Sequence, residues 1–262
     1  MTSRPVDFLL VGLGNPGSEY TTTRHNGTQL DNSWNEQWAA VIGTIRSPGF
    51  LFTDYLANVV AMDQKNSVPP VFQRRWPLSA DVHDIVFSYQ KGNVSNSLRI
   101  VLAKPLTFMN ESGTAVKKVM DFYNISDPKK LIVVSDDINT LPGALAIQDG
   151  GDMKSLAGQK GQESIATILG TTNFIRFRLG VGKPPSGSPM TIPQWVLGPF
   201  SQEGKDMDLF AYLMGHTTHA LLDFVQTNDL KSCRKKFTKS KKIPSGLVPV
   251  TSIESPVLTE GM

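Results

Sequence analysis

Residues 131–135 read LIVVS. A run this apolar and this short is what a strand covered on both faces needs, because no position can be left to water. Two further runs share the character: VDFLLV (6–11), ended by Gly12, and LRIVLA (98–103). Helical periodicity lies between and after them. Leu30, Trp34, Trp38 and Val41 mark an amphipathic helix over 28–42. Val116, Val119, Met120 and Tyr123 share a face of another, with Asn110 or Ser112 suited to cap it. SIATIL (164–169) lies in a short helix stopped by Gly170. A long helix covers 204–226, with Leu209, Phe210, Leu213, Leu221, Phe224 and Val225 inward. Phe174 to Val181 alternates as a strand and sets Arg176 and Arg178 on one face. Strands interspersed with helices predict an α/β class: a single domain with a mixed, mostly parallel twisted sheet flanked by helices.

With 262 residues, 40% of them hydrophobic, the chain can bury one substantial core. The domain is expected over 1–239. Within it, 44–97 reads as strands or long loops, an insertion, because Pro69-Pro70, Arg74-Arg75 and many Ser, Asn and Gln residues interrupt any period. Residues 240–262, rich in Pro, Ser, Thr and Gly, read as a flexible tail. The net charge of +3 is uneven: residues 230–262 hold seven basic and two acidic side chains, which leaves 1–229 at −2. Any nucleic-acid site on the body must therefore be a local patch, with KSCRKKFTKSKK (231–242) as a second candidate and Phe237 available to stack on a base; the equal alternative for that segment is a solvated helix end followed by a flexible basic tail. The single cysteine, Cys233, excludes an internal disulfide and suits a reducing compartment. No apolar run approaches the roughly 20 residues of a membrane helix, and no membrane partner is expected. The first apolar run follows Met1 closely, which favours the cytoplasm, with mitochondria as the alternative.

GLGNPG (12–17) formally matches the dinucleotide-binding G-x-G-x-x-G after a strand. Its context opposes that reading. Pro16 deletes a backbone N–H that a phosphate would need, and Thr21-Thr22-Thr23 follow where a helix should run. A tight loop at the carboxyl end of a strand fits better, presenting Asn15 as a neutral donor and acceptor.

Among the four histidines, His25 lies just beyond that loop, between Arg24 and Asn26, and is the candidate general base. His83 falls in the least readable region, and His216 and His219 read as packing or surface residues of the long helix. Asp136, directly after the 131–135 strand, is the candidate acceptor that would fix the His25 tautomer and raise its basicity; its alternative reading is a turn cap, a task that also suits Asp137 and Asn139. There is no G-x-S-x-G elbow, and no H-E-x-x-H or Cys/His spacing suggests a metal. What remains is water activated by a histidine and aimed at an ester or similar bond, with the amides of Asn15 and Asn110 near the carbonyl oxygen.

Four blocks in order, GLGNPGSEYTTTRHN (12–26), KPLTFMNESGTAV (104–116), VVSDDINTLPG (133–143) and NFIRFRLGVGKP (173–184), resemble the bacterial-type peptidyl-tRNA hydrolase family. The resemblance covers most of 7–230, with 44–97 longer than the usual spacing. It implies an esterase that cuts the bond between a peptide and the 3′ end of its tRNA, without metal or cofactor; the isolated protein is expected to be a monomer. It places His25 as the base, Asp136 as its orienting carboxylate, Asn15 and Asn110 at the peptide and reacting carbonyl, and the Arg176–Arg178 strand in a block that contacts tRNA. Tyr20, Gln159 and Lys160 join these as candidate substrate contacts.

The chain departs from the pattern after RHN, where Gly27-Thr28-Gln29 changes the register, and at AGQKG (157–161). There Gln159 and Lys160 stand where the family carries His and Asn, and a lysine offers donors only. Ala146, Ile147 and Gln148 replace lysines before that loop. A second reading therefore stands beside the hydrolase: a catalytically weak or inactive hydrolase-like RNA-binding protein associated with a ribosome or splicing complex.

Overall fold

A computed structural model describes residues 4–16, 48–64, 69–156, 158–184, 186–196 and 206–238. The three apolar runs become neighbouring strands. Seven strands join one sheet: β1 (Phe8–Gly12), β2 (Gln73–Arg75), β3 (Ala80–Lys91), β4 (Val94–Pro105), β5 (Leu131–Asp137), β6 (Leu145–Asp149) and β7 (Ile175–Gly180). Their order is β2–β3–β4–β1–β5–β7–β6. The four central strands β4, β1, β5 and β7 run parallel, with Leu10 paired to Leu102 on one side and Ile132 on the other. β2, β3 and β6 complete the edges antiparallel. The chain leaves β4 and re-enters on the far side of β1, and a crevice at the carboxyl ends of such a divided parallel sheet is where α/β proteins place ligands.

Alternation along β1 supplies both faces of the sheet with core. Leu9 and Val11 meet Val116, Val119 and Met120 of α2 (Ser112–Phe122) and Ile165 of α3 (Lys160–Leu169). Phe8 and Leu10 meet Phe52, Leu56 and Val60 of α1 (Pro48–Asp63) and Phe210, Leu213 and Phe224 of the long helix. Each such side chain, fully withdrawn from water, contributes about 1.5–3 kcal/mol. Two helices precede and follow that long helix, so that α4 spans Ile192–Val196, α5 Asp206–Thr227 and α6 Leu230–Phe237.

Several expectations are refined. The segment 44–97 holds α1, which packs on the sheet centre, together with β2 and β3. The helical stripe of α1 is present in sequence, but Pro48 and Gly49 at its start are residues that ordinarily stop a helix. The first turn of α1 passes so close to the end of β1 that a Cβ on Gly12 would lie 2.1 Å from the Gly49 carbonyl oxygen. Gly12 is thus required by helix–strand packing. Neither Asn110 nor Ser112 caps α2 through its side chain: a 3-10 turn, Met109–Glu111, leads into it, and the Ser112 hydroxyl donates back to the Met109 carbonyl at 2.9 Å. Gly170 does end α3, in a left-handed conformation (φ 66°). The helix expected over 28–42 lies outside the described residues.

Candidate active site

The carboxyl ends of β1, β4 and β5 converge with the start of α3. β1 runs on through Leu13, whose N–H donates to the Val134 carbonyl at 2.8 Å, and this extension carries Asn15 over the rim. Asn15 Oδ1 accepts from the Met109 backbone N–H at 3.2 Å, which ties the β1 loop to the turn after β4. Asn110, the next residue, is exposed beside it. Met109 in turn contacts Gln159, whose Nε2 lies 3.5 Å from the methionine sulfur. The same Nε2 donates to Asp136 Oδ1 at 3.3 Å. Asn15, Met109, Gln159 and Asp136 therefore form one continuous cluster.

The two neighbouring acids at the end of β5 divide their work. Asp137 is buried and serves the fold: its carboxylate accepts from the Asn139 N–H at 3.0 Å and from the Thr140 hydroxyl, and pairs with Arg178 at 2.8 Å. The turn-capping task thus falls to Asp137, and Asp136 is left to the cluster. Burial pushes the Asp136 carboxyl above its ordinary range, the Gln159 hydrogen bond opposes that rise, and the Asp137 charge adds to it. Beneath the cluster, Gln162 Nε2 donates to the Ser135 hydroxyl at 2.6 Å, which fastens α3 to β5.

His25 and Tyr20 lie outside the described residues. Lys160, the first residue of α3, is exposed and pairs with Glu163 at 3.0 Å. The arginine strand requires a correction. Arg176 is fully buried; its guanidinium lies over the Phe174 ring at 5.5 Å and donates to the Gly150 carbonyl and, at 3.3 Å, to the Ser155 hydroxyl. Burial lowers its pKa to about 10. Arg178 is mostly enclosed, held by Asp137 and by Gln148 Oε1 at 3.2 Å. Both do share one face of β7, but that face is closed, so Arg176 is not presented to a phosphate and Arg178 is already paired.

The start of the basic segment is helical, as its alternative reading expects, but it is packed on the core. Over 230–237 it is a packed helix: Cys233 is buried with its thiol donating to the Ala220 carbonyl at 3.2 Å, and burial drives its pKa up to about 12. Phe237 packs edge-on against His216 at 5.5 Å and is not a free stacking platform. His216 stacks on Tyr212 at 5.4 Å, the packing role expected of it.

Sequence reasoning did not single out Met109 or Gln162. Met109 sits inside the quoted KPLTFMN block, where its neighbour Asn110 drew attention; Gln162 looks like an ordinary helix residue until its depth is known. A groove of about 400 Å³ adjoins the cluster, bordered by Pro16, Leu106 and the exposed rings of Trp76 and Phe108. Among the described residues no three His, Cys, Asp or Glu side chains gather as a metal set, and no helix is long and apolar enough to cross a membrane.

The chain is similar to known proteins in both sequence and fold. The sequence profile of the family described as Peptidyl-tRNA hydrolase matches residues 43–245, beginning after the segment that holds His25. A peptidyl-tRNA hydrolase of Moorella thermoacetica is 34% identical over 195 residues, which is 74% of this chain and 80% of the relative. That of Nitratidesulfovibrio vulgaris is 36% identical over 204 residues, 77% of this chain and 83% of the relative. The crystal structure of the Acinetobacter baumannii peptidyl-tRNA hydrolase superposes with a TM-score of 0.62 at 25% identity, covering 91% of this chain and 98% of that one.

Proposed function

The chain belongs to the peptidyl-tRNA hydrolase family, and on that premise we propose that it hydrolyses the ester bond joining a peptide to the 3′ end of tRNA. The observation that carries the reading is the cluster of Asn15, Met109, Gln159 and Asp136 at the carboxyl edge of the parallel strands. In the proposed reaction His25, oriented by Asp136, takes a proton from water as the water oxygen attacks the ester carbonyl carbon. The carbonyl oxygen gains negative charge, which the amides of Asn15 and Asn110 stabilise. The intermediate collapses, the bond to the ribose oxygen breaks, and that oxygen takes the proton back from His25. The groove lined by Pro16, Trp76 and Phe108 offers apolar surface beside the loop that carries Asn15 and the turn that carries Met109.

The experiment is cleavage of a purified peptidyl-tRNA by the full chain, with His25→Ala as control. Turnover well above that control is expected. A wild-type rate equal to the control at high enzyme concentration overturns the proposal. It would favour the second reading, tRNA bound alone or within a ribosome or other ribonucleoprotein without turnover. One observation supports that alternative: Lys160, an exposed cation, occupies the position where the resemblance calls for an amide.

A further inference from the structure

The amide of Gln159 has both ends committed to the protein. Its Oε1 accepts from the backbone N–H groups of Gly161 at 2.7 Å and Gln162 at 3.0 Å, and so caps α3. Its Nε2 donates to Asp136 Oδ1 at 3.3 Å. An oxygen gripped by two backbone donors fixes the amide plane, and the opposite NH2 is then aimed without further cost in side-chain freedom. We infer that Gln159 is a positioning residue for the proposed ester hydrolysis: anchored on the first turn of α3, it holds the Asp136 carboxylate at the rim and acts through that carboxylate, not on the substrate. The inference rests on the reading that Asp136 serves the reaction. It also gives the departure at 157–161 a physical sense, because an amide in that place keeps both a cap acceptor and a donor to the acid.

The surroundings make this hydrogen bond consequential. Asp136 is half-buried at the rim, and the water it does lose disfavours its charged form, against hydrogen bonds from Gln159 and from its own backbone N–H. From its own strand it faces Asp137, a like charge already paired with Arg178 of β7. The loop after β1 brings Asn15, the turn before α2 brings Met109, and α3 brings Gln159 and Gln162, all neutral. Lys160, the nearest cation on α3, is exposed and turned to Glu163. Among the described residues Gln159 is thus the side chain that donates to the Asp136 carboxylate. Removing the donor should favour the protonated acid, and a protonated Asp136 is a weaker acceptor that carries no charge to raise the basicity of His25.

The test compares three variants of the full chain. Gln159→Met keeps length but loses both ends of the amide. Gln159→Glu keeps a cap acceptor and replaces the donor with a negative charge. Gln159→His can again accept at one ring nitrogen and donate from the other. The readouts are the pH profile of kcat/KM on peptidyl-tRNA and the titration of the Asp136 carboxyl carbon by NMR. In Gln159→Met the acid limb and the Asp136 titration should both move to higher pH, by about half a unit or more. Gln159→Glu should move them further, and Gln159→His should return them towards wild type. At a pH above the limb, kcat should fall in Gln159→Met with KM little changed. Unmoved limbs and an unmoved titration in both Gln159→Met and Gln159→Glu overturn the proposal, as does a loss confined to KM. The two readings separate cleanly: if Asp136→Asn abolishes turnover while the Gln159 variants titrate as wild type, only the positioning role fails. If Asp136→Asn turns over as wild type, the hydrolytic role of Asp136 fails with it.

Discussion

Arg178 lies 2.8 Å from the carboxylate of Asp137, and this pair determines what β7 can offer at the surface. The side chains are 15% and 4% exposed, so neither charge has much water to fall back on. Breaking such a pair from one side strands the other charge, at a cost of about 3 kcal/mol. Arg178→Gln should therefore lower the urea midpoint substantially, because Asp137 also holds the Asn139 and Thr140 turn. The salt dependence of tRNA binding should stay as in wild type. A salt slope reduced by about one unit, with unchanged stability, would instead identify Arg178 as a phosphate ligand.

Asp136 stands in the opposite relation to stability. Its folded-state pKa is raised, chiefly by burial, so the folded protein binds this proton more tightly than the unfolded chain does. Stability contributed by the protonated acid is present below the ordinary carboxyl pKa of about 4 and is lost as pH rises towards the folded value. Asp136→Asn preserves an acceptor for Gln159 and carries no charge. It should melt at a higher temperature than wild type near pH 7 and at the same temperature near pH 3, while losing hydrolytic activity. Differential scanning calorimetry across that range checks the first part. A variant less stable than wild type at neutral pH would show that Asp136 is a structural ion and not a strained one.

Gly12 and Gly49 make a prediction about the glycine loop. A methyl group on Gly12 would stand 2.1 Å from the Gly49 oxygen and 2.6 Å from its carbonyl carbon. Those atoms are backbone and cannot rotate aside, so helix and strand must separate. Gly12→Ala should cost about 1–3 kcal/mol or more, measured as a lower denaturant midpoint. An alanine variant as stable as wild type would mean that α1 does not press on β1 as described.

The strands β1 and β5 and the second half of β4 are legible in the sequence because short, predominantly apolar runs have few alternatives. The inward residues of α5 follow from a long period, and the loop carrying Asn15 follows from the strand that it ends. The helix α1 is harder, since Phe52, Leu56 and Val60 follow a Pro-Gly pair whose use depends on a glycine 37 positions earlier in the chain. The edge strand β6 has only five residues, and its pairing with β7 is set across an intervening helix. For Arg176 and Arg178 the alternation gives the shared face correctly. It does not reveal that residues 150–156 close over Arg176 from one side. Asp136 stands out from its place after a buried strand, yet its hydrogen bond to Gln159 joins residues 23 positions apart and has no local signature. The role of His25 rests on its sequence neighbourhood alone.

The basic segment calls for a different variant than truncation. Removing everything after Asp229 would delete α6, and with it the buried Cys233 and the packing of Phe237 on His216. A truncated chain would lose core packing whether or not the segment touches RNA. Neutralising charge alone avoids this. Lys231, Arg234 and Lys235 are exposed on α6, whereas Lys236 is paired with Asp223 at 2.5 Å. The triple change of Lys231, Arg234 and Lys235 to Gln should leave thermal stability within about 0.5 kcal/mol of wild type, as is usual for surface positions. If these cations follow the phosphate backbone, tRNA affinity should fall, and the slope of log K against log salt should shrink by roughly one unit for each phosphate no longer neutralised. A slope identical to wild type would assign the segment to packing and solubility. Phe237→Ala completes the comparison: it should lower the melting temperature while leaving the slope unchanged, because its ring is engaged against His216 and it carries no charge.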